Sequence, residues 1–292
     1  MYYLVYTLLW LVSLLPFWVL YLKADFIYWI LYYVIGYRKE VVFSNLAIAF
    51  PEKTDEERIK IAKQFYKNLI DTFIESIKFI SISRNAAKKR TEIDAEILNQ
   101  LAAEGYNIYL LAGHQFTWEY FNLVFPGEVS IPVKAVYAPI ANKILDKIFL
   151  KWRTKYGMIL YSAKEFTSKM DQALSGRFIM VLAADQNPGV VSKAYWMNFF
   201  GKPAPFFQGP AKGAIKTKSA VVMAGMKKIK RGYYRYECKL ITKDPSGLTP
   251  EQLTVIYKRE VERVVKEDPA NYLWSHRRWR HEWKPEYGPV LD

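Results

Sequence analysis

Residues 107–119, NIYLLAGHQFTWE, decide how this chain folds. The run from Asn107 to Ala112 is apolar and has the length of a strand buried on both faces. Gly113 and His114 end it, and Trp118-Glu119 lead into a helical pattern. A strand giving way to a helix through a short turn is the unit of an open α/β sheet. Such sheets collect their chemistry at the carboxyl ends of the strands. The chain has 3 histidines, and His114 is the one that falls at such an end. Glu119 follows five residues later. On a continuous helix the two positions would point apart. With His114 in the turn, Glu119 in the first turn of the helix can reach back to the ring, giving a base and its orienter. The plainer alternative is a satisfied polar pair without catalytic work.

Outward from this unit the chain keeps alternating. Strand-like runs recur at 130–137, 178–183, 220–226 and 233–241, with helical patterns near 118–123, 142–155, 165–175 and 208–217. The predicted fold class is therefore α/β, a mixed and partly parallel central sheet flanked by helices. Thr54-Asp-Glu-Glu57 reads as a capping box that opens a long amphipathic helix to about Ile82. Arg84 to Arg90 reads as a basic connector. Thr249-Pro250, with Gln252 at the third helical position, opens a last helix.

The amino-terminal end is different in kind. Residues 1–22, MYYLVYTLLWLVSLLPFWVLYL, carry no charge. As one helix they would be about 33 Å long, enough to cross a bilayer core. Pro16 would kink such a helix, which membrane helices tolerate. Without a basic start or a small-residue cleavage site, the segment does not read as a removable signal. Lys23 and Asp25 follow, and then a second apolar piece, residues 26–37, closed by Arg38-Lys39. That piece is too short to span and is expected to lie in the interface. The division expected is a transmembrane anchor at 1–22 and one large domain at 23–292, with an interfacial helix at 26–37. The basic residues all follow the apolar segment, which puts the body on the cytoplasmic side. The competing reading is a hairpin buried in a soluble core.

Composition supports the membrane reading. The 22 Tyr, 17 Phe and 9 Trp are numerous for 292 residues, and Tyr and Trp favour places with one apolar and one wet end. A net charge of +14, from 42 Lys and Arg against 28 Asp and Glu, points to anionic partners. A single cysteine, Cys238, excludes an internal disulfide and any multi-cysteine metal site.

Further candidates each carry a plain alternative. Arg153, at the end of the 142–155 helix, would otherwise only complement the helix dipole. Asp185-Gln186 follows the buried strand 178–184, where turn chemistry and function are equally at home. Phe199-Phe200-Gly201 is an aromatic loop that could be simple packing. Gln208-Gly209-Pro210 opens a helix whose first amides could receive an anion. His276-Arg277-Arg278, among Tyr272, Trp274 and Trp279, suits an anionic head group. It would also suit single-stranded nucleic acid, but behind an uncharged amino terminus no nucleic-acid partner is expected. No phosphate-binding loop, dinucleotide fingerprint, metal-ligand cluster or serine elbow is present.

Taken in order, these segments resemble the late acyltransferases of lipid A biosynthesis (lauroyl and myristoyl transferases), within the lysophospholipid acyltransferase superfamily. The resemblance runs from Arg38, Asn45-Leu46 and Phe50-Pro51 through Gly113-His114, Glu119, Val136-Tyr137, Arg153 and Asp185-Gln186. It continues with Phe199-Phe200-Gly201, Gly209-Pro210 and Tyr272-Leu-Trp274-Ser-His276-Arg277-Arg278. It implies a glycerol-3-phosphate acyltransferase-like fold and an acyl transfer from an acyl carrier protein or acyl-CoA thioester to a lipid hydroxyl. It places His114, Glu119, Arg153 and Asp185 in the catalytic set. Gln186, Phe199, Phe200, Gly201, Gly209, His276, Arg277 and Arg278 fall to substrate binding. No cofactor is expected beyond the thioester co-substrate. The expected partners are acyl carrier protein, a membrane lipid acceptor and an anionic membrane surface, and the expected location is a bacterial inner membrane. One departure is Ala138, where the family has Arg after the Val-Tyr pair; Lys134 or Lys143 could replace that contact. A lysophospholipid or aminoacyl-lipid acceptor, and a non-catalytic lipid binder, are the alternatives.

Overall fold

The computed structural model describes residues 1–292. It opens with α1 (Tyr2–Leu14) and α2 (Phe17–Trp29), the latter continuing as a π-helical turn over Ile30–Ile35 that Gly36 ends at φ 65°. The uncharged stretch 1–22 is thus not one helix. Leu15 precedes a proline and takes an extended conformation (ψ 144°), which stops α1. The carbonyls freed at the break are not left bare. The Lys78 ammonium donates to Ser13 O and Leu15 O at 2.8 and 2.9 Å, and the Ser81 hydroxyl donates to Ser13 O at 2.8 Å. Lys23 and Asp25 do not separate two apolar pieces, because α2 runs through them.

Next come α3 (Lys39–Ala49) and the long α4 (Asp55–Lys78), which begins at the expected reciprocal cap between Thr54 and Glu57. The connector at 84–90 is a short helix, α5 (Arg84–Lys88). Then follow β1 (Thr91–Ile93), α6 (Glu96–Ala103), β2 (Ile108–Ala112), α7 (Trp118–Val124), β3 (Val133–Tyr137), α8 (Lys143–Arg153) and β4 (Ile159–Ser162). The 165–175 pattern yields only α9 (Met170–Ala173), the rest being turns, ahead of β5 (Ile179–Ala183). A hairpin of β6 (Tyr195–Phe199) and β7 (Lys202–Phe206) stands where an aromatic loop is expected. Its turn residues, Phe200 (φ 50°) and Gly201 (φ 75°), both have positive φ, the conformation that matches the twist of a tight hairpin. The chain closes with α10 (Gly209–Lys216), β8 (Ala220–Lys230), β9 (Tyr233–Thr242), α11 (Pro250–Glu267) and β10 (Val290–Leu291).

The main sheet has seven strands in the order β1-β9-β8-β2-β5-β3-β4. β8, β2, β5, β3 and β4 run parallel, whereas β9 and β1 run the other way. From β2 the chain steps over one place to β3, returns to fill that place with β5, and later adds β8 on the other side of β2. The order therefore reverses at β2, the switch point where open sheets form crevices. Alternate residues of β2 feed two cores. Tyr109 and Leu111 pack with α3, α4, α10 and α11, and Ile108 and Leu110 pack with α6, α7 and α8. α10 lies close on the sheet, since a Cβ at Gly213 would meet the Tyr109 hydroxyl at 2.5 Å.

Candidate active site

Parallel register builds the centre of the site. β2 and β5 are neighbours and pair Ala112 with Ala183. Two residues further along each strand stand His114 and Asp185. The His114 ring Nδ1 lies 2.6 Å from Asp185 Oδ1, and the His114 backbone N–H donates to Asp185 Oδ2 at 3.0 Å. Asp185 is fully buried, while His114 keeps a fifth of its side chain exposed (20%). Burial alone would raise the Asp185 carboxyl. The facing imidazole, its hydrogen bonds and the Tyr272 hydroxyl outweigh burial and hold it down to about 2. Bound this way, Nδ1 carries the proton and Nε2 is the nitrogen left to accept one.

This corrects the expected partner. Glu119 does not reach His114. It binds Arg153 through two bonds, Nη2 to Oε1 and Nε to Oε2 (3.1 Å for the latter), and Asn122 donates to Oε2 at 3.0 Å. The local reason is the backbone of Thr117. It adopts left-handed φ of 73°, pinned by the Tyr236 hydroxyl on its carbonyl at 2.7 Å. α7 thus starts at Trp118, whose ring stands edge-on to His114, and Glu119 is turned towards α8. Four of the expected residues form two hydrogen-bonded pairs, His114–Asp185 and Glu119–Arg153.

A residue that the sequence did not single out holds the two strand ends. The Tyr257 hydroxyl on α11 donates to Ala112 O at 2.8 Å and accepts from Ala184 N at 2.9 Å. A side-chain hydroxyl therefore bridges β2 and β5 one residue short of Asp185 and two short of His114. Its only sequence signal was an apolar spacing with Leu253 and Val261, which reads as core.

The carboxyl-terminal segment closes over the same end. Gln115 bridges Tyr272, Leu273 N donates to His114 O at 3.1 Å, and Phe116 N donates to Asn271 O at 2.9 Å. The Gln115 side chain pairs with both backbone groups of Met226 at 2.9 and 3.0 Å, extending the ladder to β8. Asn45 donates to Trp274 O and His276 O at 2.7 and 2.8 Å. His276 is half-buried, and its imidazole is pushed down to about 4 by burial and by the charge of Arg278, so it is neutral at pH 7.

The other expected binding residues divide. Arg278 is buried; it donates to Asn187 Oδ1 (2.7 Å) and Pro205 O (2.9 Å) and lies over the Phe206 ring at 4.5 Å. It fastens the 185–187 turn to the β6–β7 hairpin. Phe199 is buried against Trp279, and the Phe200 N–H donates to Glu262 at 2.6 Å. Gly201 completes the hairpin turn. Gly209 opens α10 at the surface, Arg277 is exposed, and Gln186 is half-buried beside Asp185. Lys134 does not replace an arginine at 138, because its buried amine donates to Ala173 O and Ser175 O, both at 2.9 Å. Lys143 is exposed in the first turn of α8. Burial, with the charge of Asp94, pushes the Cys238 thiol up to about 12, so it stays protonated at neutral pH.

A doubly wound α/β sheet with a histidine held by a carboxylate at its switch point has the layout of an α/β enzyme. Its sequence specifies which one. The family model described as bacterial lipid A biosynthesis acyltransferase matches residues 1–281, and the chain belongs to that family. The chain is 24% identical over 279 residues to a lipid A biosynthesis lauroyltransferase of Escherichia coli, covering 93% of this chain and 89% of that protein. It is 23% identical over 236 residues to a lipid A biosynthesis acyltransferase of Haemophilus influenzae, covering 79% and 72%. A lipid A biosynthesis palmitoleoyltransferase of Escherichia coli is 20% identical over 252 residues, covering 83% and 79%. The protein is an acyltransferase of lipid A biosynthesis.

Proposed function

We propose that the protein moves a fatty acyl chain from a thioester, carried by acyl carrier protein or coenzyme A, to a hydroxyl of a lipid A precursor. His114 is the general base. The observation that carries this reading is the 2.6 Å contact of His114 Nδ1 with buried Asp185 at the ends of adjacent strands. Nε2 takes the acceptor's proton as its oxygen attacks the thioester carbonyl. Asp185 fixes the tautomer and stabilises the imidazolium. The tetrahedral intermediate then releases the thiolate, which recovers the proton from Nε2. No bond to the protein forms.

Backbone amides near the dyad that are not already bonded stabilise the oxyanion, each contributing roughly 3 kcal/mol. Arg153 spends Nε and Nη2 on Glu119, which leaves Nη1 for an incoming anion. Gln186, next to Asp185 in the chain, and His276 with its neighbour Arg277 are assigned to substrate binding. The reversal of strand order at β2 supports the likeness to the glycerol-3-phosphate acyltransferase fold. The apolar amino-terminal helices hold the enzyme to the inner membrane with its body on the cytoplasmic side, a reading supported by the basic residues behind them.

The test is lipid mass spectrometry after incubating detergent-purified protein with a lipid A precursor and each donor in turn. Wild type is expected to add one acyl chain and His114→Ala none. A His114→Ala protein that folds and retains near-wild-type rate would overturn the assignment.

A further inference from the structure

The apolar helices do not leave the body. α1 begins with Tyr2 and Tyr6 under the ammonium groups of Lys147 and Lys151 on α8, at 4.7 and 4.4 Å. Its end is held by Lys78 and Ser81 of the α4 region. α2 packs Leu20 and Ala24 against Ile70 and Ile74 of α4. At its midpoint Asp25 meets Arg231, which also binds Asp71 of α4, with contacts of 2.7 and 2.6 Å. Beyond Gly36, the Tyr66 hydroxyl donates to Tyr37 O at 2.6 Å and Arg38 donates to Ser275 O at 3.0 Å. Both ends and the middle are therefore tied to the catalytic body. A helix crossing a bilayer would have to break the Asp25–Arg231–Asp71 network and leave its charges in hydrocarbon, where each costs about 2.5–3.5 kcal/mol even by insertion scales.

The opposite side of the pair is bare and apolar. Tyr3 is 81% exposed, Leu4 65%, Trp18 66%, Phe26 63% and Val34 64%. Such a face, about 20 Å of α1 and 28 Å of α2 with its π turn, exceeds what a soluble monomer leaves to water. Its fringe is cationic and aromatic. Lys39 sits over Tyr32 at 4.0 Å and Lys67 over Tyr28 at 5.5 Å, in addition to Lys147 and Lys151. Apolar residues rimmed by lysine and tyrosine fit one leaflet of an anionic membrane.

We propose that α1 and α2 form a monotopic platform that lies in one leaflet without crossing it, with both chain ends on the body's side. This rests on the membrane-bound reading above and changes its geometry. The platform also leads to the dyad. Arg38, at its end, and Asn45 hold the Trp274–His276 segment, whose neighbour Leu273 binds the His114 carbonyl. A lipid acceptor could slide from the leaflet to Nε2 without entering water.

The test uses full-length protein in a Cys238→Ser background and sealed vesicles of phosphatidylethanolamine and phosphatidylglycerol. Flotation comes first. Wild type should float with the vesicles, and Leu8→Glu with Phe26→Glu should lower the bound fraction tenfold or more. Protein that stays out of the vesicles, alone or as a dimer joined through this face, overturns the membrane reading itself. For vesicle-bound protein, Tyr2→Cys and Glu286→Cys are then probed with an impermeant maleimide. Both should react from the same side, and Tyr2→Cys with Lys147→Cys should cross-link through a short bis-maleimide. Reaction of Tyr2→Cys only from the side opposite Glu286→Cys, with no cross-link, leaves membrane binding intact and overturns the monotopic platform.

Discussion

Replacing Tyr257 by Phe removes one oxygen atom from the molecule, and that atom joins the two strands that carry His114 and Asp185. It leaves Ala112 O and Ala184 N buried without their partner, a cost of about 1–3 kcal/mol. The expected outcome is a lower melting temperature together with a reduced kcat at unchanged KM, because the strand ends carry His114 and Asp185 rather than the lipid. Steady-state kinetics on the folded fraction checks it, and a pure stability loss with unaltered kcat would confine Tyr257 to packing. At this scale the sequence was half readable. His114 and Asp185 each stood out locally, since each ends a buried apolar run. Their pairing did not, because it depends on β5 lying beside β2, which no spacing along the chain encodes. Glu119 was given the wrong partner for the same reason, since Arg153 is close only in the fold.

Two element-level arguments follow from buried carboxylates. Glu119 joins α7 to α8 through Arg153, both mostly buried, so Glu119→Ala leaves an uncompensated cation and should cost roughly 3–5 kcal/mol. Denaturant unfolding measures it. Glu75 on α4 is fully enclosed and accepts from the Tyr21 and Tyr234 hydroxyls at 2.7 and 2.9 Å. Burial pushes its carboxyl up to about 7 from an ordinary 4.5, against the lowering pull of those hydroxyls. The folded state therefore binds a proton that the unfolded state has lost. The stability tied to the protonated form is complete below about 4.5 and declines as pH rises through about 7. Glu75→Gln should match wild type at pH 4 and exceed it at pH 8, since one amide oxygen can serve both hydroxyls. Equal stability at pH 8 would show that the site is already relieved. Among the elements, the two capped helices α4 and α11 were legible because reciprocal caps are written within four residues. The full break at Pro16, where a kink is expected, the hairpin at 195–206 and the shrinking of α9 were not. Their outcome rests on Lys78, on positive φ at Phe200-Gly201, and on packing from distant segments.

For the whole molecule, the net charge of +14 should act on docking more than on chemistry. With an acidic carrier protein as donor, kcat/KM should fall steeply as salt shortens the Debye length to about 10 Å at 0.1 M. With acyl-CoA as donor the fall should be much smaller, and equal salt sensitivity would count against carrier steering. The α/β class was visible in the sequence as alternating strand and helix patterns, and acyl transfer as an ordered series of segments. The route by which the apolar helices meet the body was not, since it hangs on Arg231 reaching Asp25 across the fold.

The central claim is that Asp185, across the β2–β5 boundary, orients the base. The most direct measurement compares acyl-transfer rates of wild type, His114→Ala, Asp185→Asn and the double variant, each corrected for folded fraction. The account predicts that Asp185→Asn lowers kcat by roughly 10²–10⁴ and that the double variant is little slower than His114→Ala alone. An Asp185→Asn enzyme working at near-wild-type rate, or losses that simply multiply, would contradict it.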